Sequence, residues 1–157
     1  MSRTRNLIAG GLIAALTGTA LLAASDGGDF KAQVTARKSL MRLYVFNIST
    51  LGAMAKGAIP YDATAASAAA GNLAALSKLN QAGMWPEGSD SLSIEGTRAL
   101  PDLWDDMADV QNKAAALTKA ADAMAAAAGN GLEALQAAMG PLGGACGACH
   151  KAYRQPE

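Results

Sequence analysis

Leu132-Glu133-Ala134-Leu135-Gln136-Ala137-Ala138-Met139-Gly140-Pro141-Leu142-Gly143-Gly144-Ala145-Cys146-Gly147-Ala148-Cys149-His150-Lys151-Ala152-Tyr153-Arg154 is the stretch on which the fold turns. Within it Leu132, Leu135, Met139, Leu142, Cys146, Cys149 and Tyr153 recur at alternating steps of three and four residues. At about 3.6 residues per turn, that spacing places them all on one stripe of an α-helix. Pro141 lies inside the stripe, removes one backbone donor and should kink the helix or open one hydrogen bond. A helix with one apolar stripe has to bury it against other elements. The same period is therefore expected upstream.

It is present twice more. Val34, Arg37, Met41, Tyr44, Ile48, Leu51 and Ala55 form a stripe between Phe30 and Lys56, with Gly57 and Pro60 as stops. Leu103, Met107, Val110, Ala114, Leu117, Ala121, Met124 and Ala128 form another; Pro101 suits its first turn and Gly129-Asn130-Gly131 its end. Between them Asp62 is a good N-cap for an Ala-rich helix from Ala65 to Leu79, carrying Leu73, Leu76 and Leu79 and closed by Gly83. Met84 to Leu100, with Pro86, Gly88, Ser89, Asp90 and Gly96, breaks the period and is the longest connection, a length that suits a loop covering a ligand. No segment sustains period-two alternation. The prediction is an all-α protein, an antiparallel four-helix bundle.

Composition agrees. Among 157 residues, apolar types reach 51%, rich enough for a packed core. Abundant Ala with scarce Val and Ile favours closely packed helices over sheets. Lys and Arg number 13 against 13 Asp and Glu, so no basic field is available for nucleic acid. Two cysteines cannot staple a chain of this length.

Residues 1–25 read as a secretory leader: Arg3 and Arg5, an uncharged run from Leu7 to Leu22, then Ala23-Ala24-Ser25 before polar Asp26. The alternative is an uncleaved anchor, but a spanning helix needs about 20 apolar residues, and this run is shorter and holds Gly10, Gly11 and Gly18. The expectation is cleavage, no stable membrane anchor afterwards, a periplasmic location, and one domain over residues 26–157.

Cys146-Gly147-Ala148-Cys149-His150 is the C-x-x-C-H pattern of covalent c-type haem attachment. Two thiols three residues apart share a helical face and can add to the two vinyl groups of one porphyrin, while the adjacent imidazole reaches the iron. Gly147 and Ala148 are small enough to let the backbone lie close to the macrocycle. Three other readings remain open. A structural zinc site wants four ligands, and the chain has two Cys and one His. A thioredoxin-like motif should follow a strand. A chance motif would leave the cysteines buried or disulfide-bonded. Because His150 is the single histidine, the opposite face of the iron is open, or takes Met, Lys or an external ligand. Of the methionines after the leader, Met41, Met107, Met124 and Met139 are expected to face inward, where core filling is their ordinary role.

These residues resemble the class II c-type cytochromes, that is, cytochrome c' and its low-spin, methionine-ligated relatives. The resemblance runs from about Phe30 to Arg154 and is strongest at Cys146-Gly147-Ala148-Cys149-His150-Lys151-Ala152-Tyr153-Arg154. Arg37-Lys38, Ala55-Lys56-Gly57, Trp85-Pro86-Glu87-Gly88 and Trp104 also match. It implies one covalent haem c per chain, with Cys146 and Cys149 as thioether anchors and His150 as the proximal iron ligand. It places Arg154 beside the proximal imidazole, Arg37 and Lys38 against the haem, and Thr97 with Arg98 in the loop that approaches it. An inward Arg37 needs an anion, and a haem propionate would supply one; the alternative is an arginine that snorkels to water.

By the same resemblance Met41 faces the distal side of the iron. The low-spin relatives use a methionine there as sixth ligand, whereas cytochromes c' hold a noncoordinating side chain and leave the iron five-coordinate. Leu40-Met41-Arg42, Leu51-Gly52-Ala53-Met54-Ala55-Lys56-Gly57 and Ile59-Pro60-Tyr61-Asp62 look more like the low-spin group. Tyr44 and Phe46 would either crowd the distal pocket or pack between helices. The implied function is a periplasmic one-electron carrier with His150 and Met41 as iron ligands, and not an enzyme. Its rivals are a five-coordinate protein that binds nitric oxide or carbon monoxide, a weak peroxidase lacking a second histidine, and a metal module without haem. Redox partner proteins are expected, of unspecified identity, and the resemblance allows a homodimer through the first two helices, with Ala65 to Ala70 as one candidate face.

Overall fold

The structure, a computed structural model, describes residues 29–156; the expected leader, residues 1–25, lies outside them. Among the described residues five α-helices are formed: α1 (Lys31–Ala55), α2 (Ala63–Ser77), α3 (Asp102–Asp105), α4 (Met107–Ala127) and α5 (Leu132–Tyr153), with one 3-10 turn at Ala82–Met84. The four long helices pack in a ring, α1 on α2, α2 on α4, α4 on α5 and α5 back on α1. The fold is the four-helix bundle that the stripes predict.

The α1 stripe is inward throughout: Val34, Arg37, Tyr44 and Leu51 are buried, while Met41, Ile48 and Ala55 pack against the core. Leu40, Asn47 and Met54 are buried beside them and widen the seam. Asp62 caps α2 as expected, accepting from the Ala65 amide at 2.7 Å. The core is closed by Leu51, Leu73, Met124, Leu135 and Leu142, all fully buried. Each such side chain contributes about 1.5–3 kcal/mol by leaving water.

Three expectations need correcting. Helix α2 ends at Ser77, so Leu79 falls beyond the cap and is 49% exposed. The third helix does not run unbroken from Pro101. Asp106 leaves helical geometry (φ −129°, ψ 64°), and its carboxylate accepts from the Asp109 amide at 3.0 Å, so it ends α3 and caps α4. Met107, just past this break, is 37% exposed instead of inward, and Ala114 is exposed as well. Phe46 is 70% exposed on the outer side of α1, so it does not crowd the bundle interior; Tyr44 does point inward, 8% exposed.

The long connection is pinned to the end of α5. Ala99 bridges Arg154 in antiparallel fashion, the Leu100 amide donates to the Tyr153 carbonyl at 3.0 Å, and the Gln155 amide donates to the Arg98 carbonyl at 2.8 Å. Helix α5 is continuous through Pro141.

Candidate functional site

The register between α1 and α5 places the site. The Gln136 side chain donates from Nε2 to the Ala55 carbonyl at 2.8 Å, and Gly52 lies beside Met139, whose Cε would sit 3.7 Å from a Cβ there. Both helices advance about 1.5 Å per residue. Continuing this antiparallel pairing brings Tyr44 level with Cys146 and Gly147, and Met41 level with Cys149 and His150. Met41 and the C-x-x-C-H motif therefore lie at the same end of the bundle.

Cys146 and Cys149 form no disulfide, each is partly buried on α5, and burial pushes both thiols above their ordinary range. His150 is partly buried too. Burial first, then the charges of Arg154 and Arg98, lower its imidazole pKa. A depressed imidazole pKa keeps a nitrogen lone pair available for a metal. Among the described residues no group of three or more His, Cys, Asp or Glu side chains is gathered closely enough to hold a metal ion. The thiols and imidazole are spread along one helical face instead. That arrangement fits a porphyrin, which takes two thioether bonds at its edge and one bond at its iron, and fits a four-donor zinc site poorly.

Arg37 is 3% exposed and finds partners within the polypeptide. It donates from Nη1 to Ser89 Oγ at 2.8 Å, from Nη2 to Thr97 Oγ1 at 2.7 Å and also from Nη2 to the Ser89 carbonyl. Its guanidinium lies 4.8 Å from the centre of the Trp85 ring. Neutral loop oxygens and an aromatic face thus compensate the buried charge. Burial lowers the Arg37 pKa and the nearby Asp90 carboxylate opposes that shift. The arginine does not snorkel to water; it fastens the loop to α1. Ser89 in turn donates to the Pro86 carbonyl at 2.7 Å, and Trp104 Nε1 donates to the Trp85 carbonyl at 3.1 Å.

Lys38, one residue on, is exposed and donates from Nζ to the Gly96 carbonyl at 3.0 Å. It borders an open cleft of about 240 Å³ together with Lys31, Arg42 and Glu95. Thr97 is buried beneath Arg37, and its Oγ1 also accepts from the Ala99 amide at 3.3 Å. Arg154 is exposed but close enough to act on His150, while its amide donates to the His150 carbonyl at 3.1 Å. The fold therefore gathers Arg37, Lys38 and Thr97 around the loop, and Cys146, Cys149, His150 and Arg154 on α5, with Met41 at the same end of α1.

Two tyrosines on the stripes have roles that the spacing does not encode. Tyr153 donates from Oη to Asp109 Oδ2 at 2.6 Å, and Asp109 also accepts from Lys113 Nζ at 3.0 Å through Oδ1. This triad ties α4 to α5 beside Cys149. Tyr44 carries a buried hydroxyl with no hydrogen-bond partner, and its phenol is raised to about 12, first by burial and then by the nearby Cys146 thiol. The period marks Tyr44 as inward but says nothing about its oxygen.

Comparison with known proteins points to one family. The sequence model described as cytochrome c' matches residues 32–154. Cytochrome c-554 of Cereibacter sphaeroides is 40% identical over 134 residues, covering 85% of this chain and 88% of that protein. Among solved structures, a Rhodobacter cytochrome c' superposes with a TM-score of 0.80 at 37% identity, covering 83% of this chain and all of the other. A carbon monoxide complex of a variant cytochrome c' from Alcaligenes xylosoxidans gives a TM-score of 0.71 at 31% identity, with coverage of 82% and 98%.

Proposed function

Since the chain belongs to the cytochrome c' family of class II c-type cytochromes, which carry covalent haem c, we propose that it is an exported one-electron carrier whose iron is held by His150 and Met41. Cys146 and Cys149 would supply the thioether bonds. When bound, the haem provides the one-electron couple; the protein sets its surroundings and excludes water. The observation that carries this reading is the antiparallel register of α1 and α5, which brings Met41 level with His150. A thioether from Met41 would favour the ferrous state of the bound group, and His150 and Met41, both held on packed helices, would need to move little when one electron is exchanged. Arg37 would hold the loop over the site, with Lys38 and Arg154 at its border.

Export to the periplasm follows from reading residues 1–25 as a leader, with residues 26–157 as the mature domain. No helix among the described residues is long and apolar enough to cross a membrane. Redox proteins are the expected partners. A homodimer through the first two helices is also part of the proposal: another solved cytochrome c', similar in fold, shows ligand-controlled dimer dissociation. The α1 surface offers Leu43 and Phe46, both exposed and one turn apart.

A second reading is favoured by the carbon monoxide complex of the Alcaligenes protein. In it Met41 only packs, and the open iron takes nitric oxide or carbon monoxide. Visible and near-infrared spectra of the matured protein, ferric and ferrous, with and without carbon monoxide, separate the two. A low-spin spectrum with a sulfur-to-iron band that vanishes in Met41→Ala supports the carrier. A high-spin spectrum with ready carbon monoxide binding transfers the assignment to gas binding. Absence of a covalent haem mass after export with maturation factors sinks both.

A further inference from the structure

Tyr44 is 8% exposed, and its hydroxyl oxygen is buried without a hydrogen-bond partner among the described residues. Leaving a buried hydroxyl unpaired costs about 1–3 kcal/mol. Native proteins keep few such groups, and those retained often serve a site. A phenylalanine would fill the same space in the core cluster to which Tyr44 belongs. The oxygen therefore calls for a partner that the polypeptide does not provide.

Its position says where that partner lies. Tyr44 follows Met41 by three residues and shares its helical face. It stands level with Cys146 in the α1–α5 register, and the Cys146 thiol acts on its phenol. Long helical side chains lean back toward the helix N-terminus, which carries the phenol from the level of Cys146 toward that of Met41 and His150.

We propose that Tyr44 is the polar residue of the haem site on the Met41 side, whose hydroxyl would donate a hydrogen bond to the ligand held there, the Met41 sulfur or an external diatomic molecule. This inference rests on the haem reading above. The shared chemistry is a lone pair on an axial ligand. A ligating Met41 sulfur keeps a second lone pair that can accept weakly; a diatomic molecule that displaces it presents a partly negative outer atom. Donation to sulfur withdraws electron density from the iron bond and favours the ferrous state. Donation to a diatomic molecule slows its departure.

The test uses the haem-loaded protein as wild type, Tyr44→Phe, Met41→Ala and the double variant. Tyr44→Phe removes one oxygen and keeps the ring, and circular dichroism verifies that the fold is retained. In the Met41-containing pair, the reduction potential and the near-infrared sulfur-to-iron band of the ferric protein are compared. In the Met41→Ala pair, the C–O stretching frequency and the carbon monoxide dissociation rate are compared. Loss of the hydroxyl is expected to lower the potential and move the band where sulfur is the acceptor. Where the diatomic molecule is the acceptor, it should raise the stretching frequency and speed dissociation about two- to tenfold. A change in either pair supports the proposal and names the acceptor. Retained haem with no change in either pair overturns it and leaves Tyr44 as buried surface. A wild-type chain without covalent haem overturns the haem reading itself, and this inference with it.

Discussion

Arg37 Nη2 donates to Thr97 Oγ1 at 2.7 Å, joining the first helix to a loop 60 residues further along the chain. The same guanidinium reaches both polar oxygens of Ser89 and covers the Trp85 ring. One buried fork thus fixes the loop at two points, and the loop is fixed at its far end by the Ala99–Arg154 bridge. The connection over the site behaves as part of the bundle.

Arg37→Lys therefore tests the clamp. Lysine keeps the charge but has one nitrogen, so it cannot reproduce the fork or lie flat on Trp85. Unfolding in denaturant should show a loss on the order of 2–3 kcal/mol, since hydrogen bonds to charged groups are worth about 1.5–3 kcal/mol each and some are retained. The loop should also become more open to proteolysis between Ser89 and Gly96. An unchanged unfolding midpoint would mean that the loop is held by its backbone pairs to α5 alone.

The limits of the sequence reading follow from what periodicity encodes. Stripes report which side of a helix is wet, so the bundle, the inward Tyr44 and the Asp62 cap were all legible. The C-x-x-C-H spacing was legible because its chemistry is local. The break at Asp106 was not. The stripe keeps its phase on both sides of a residue that ends one helix and caps the next, so the period passes through undisturbed. The partners of Arg37 were hidden for another reason. Ser89 and Thr97 sit in an aperiodic loop, and no spacing rule connects a helix face to an oxygen 52 or 60 residues away. Phe46 was open to two readings, crowding the pocket or packing between helices, and at 70% exposed it does neither, because an aromatic side chain near a stripe reads as core until a neighbour is seen to be lacking.

Asp109 makes the α4–α5 tie sensitive to acid. Hydrogen bonds from Lys113 and then Tyr153 hold its carboxyl below the ordinary range, against the opposing effect of burial. A carboxyl lowered in the folded state contributes fully above the ordinary value of about 4, and that contribution is lost as pH falls through the lower folded value. Stability should therefore decline below about pH 4, and Asp109→Asn should reduce the dependence. Urea midpoints at neutral pH and at several points below 4 give the comparison. Coincident slopes for the two proteins would show that the triad carries no pH-dependent stability.

At Gly129 the α4–α5 turn lies against α2. A Cβ there would overlap Ser67 Oγ, while Ser67 Cβ and the Ala63 carbonyl lie at an ordinary 3.8 Å. Ser67 donates from that Oγ to the Ala63 carbonyl at 2.7 Å, so rotating it away gives up a bond. Gly129→Ala should cost about 0.5–1.5 kcal/mol, the worth of the hydrogen bond given up. Ser67→Ala removes the obstructing atom, so the double variant should recover most of that loss. A double-mutant cycle on unfolding free energies measures the coupling; strictly additive losses would place the strain elsewhere.

Phe46 bears on assembly, not on the site. It is 70% exposed, and Leu43 one turn earlier is 50% exposed, on the α1 face turned away from the buried stripe. Exposed apolar residues occur singly on many surfaces, so exposure alone does not make an interface. What gives this pair meaning is its place on the first helix, where the proposed dimer would meet. Sedimentation should find wild type as a dimer and Phe46→Glu as a monomer, because two symmetry-related glutamates would bring like charges together across the two-fold axis. The haem spectrum should not change, since Phe46 faces away from Met41 and Tyr44. A dimer that survives Phe46→Glu would move the contact off this face, toward the Ala65–Ala70 side of α2.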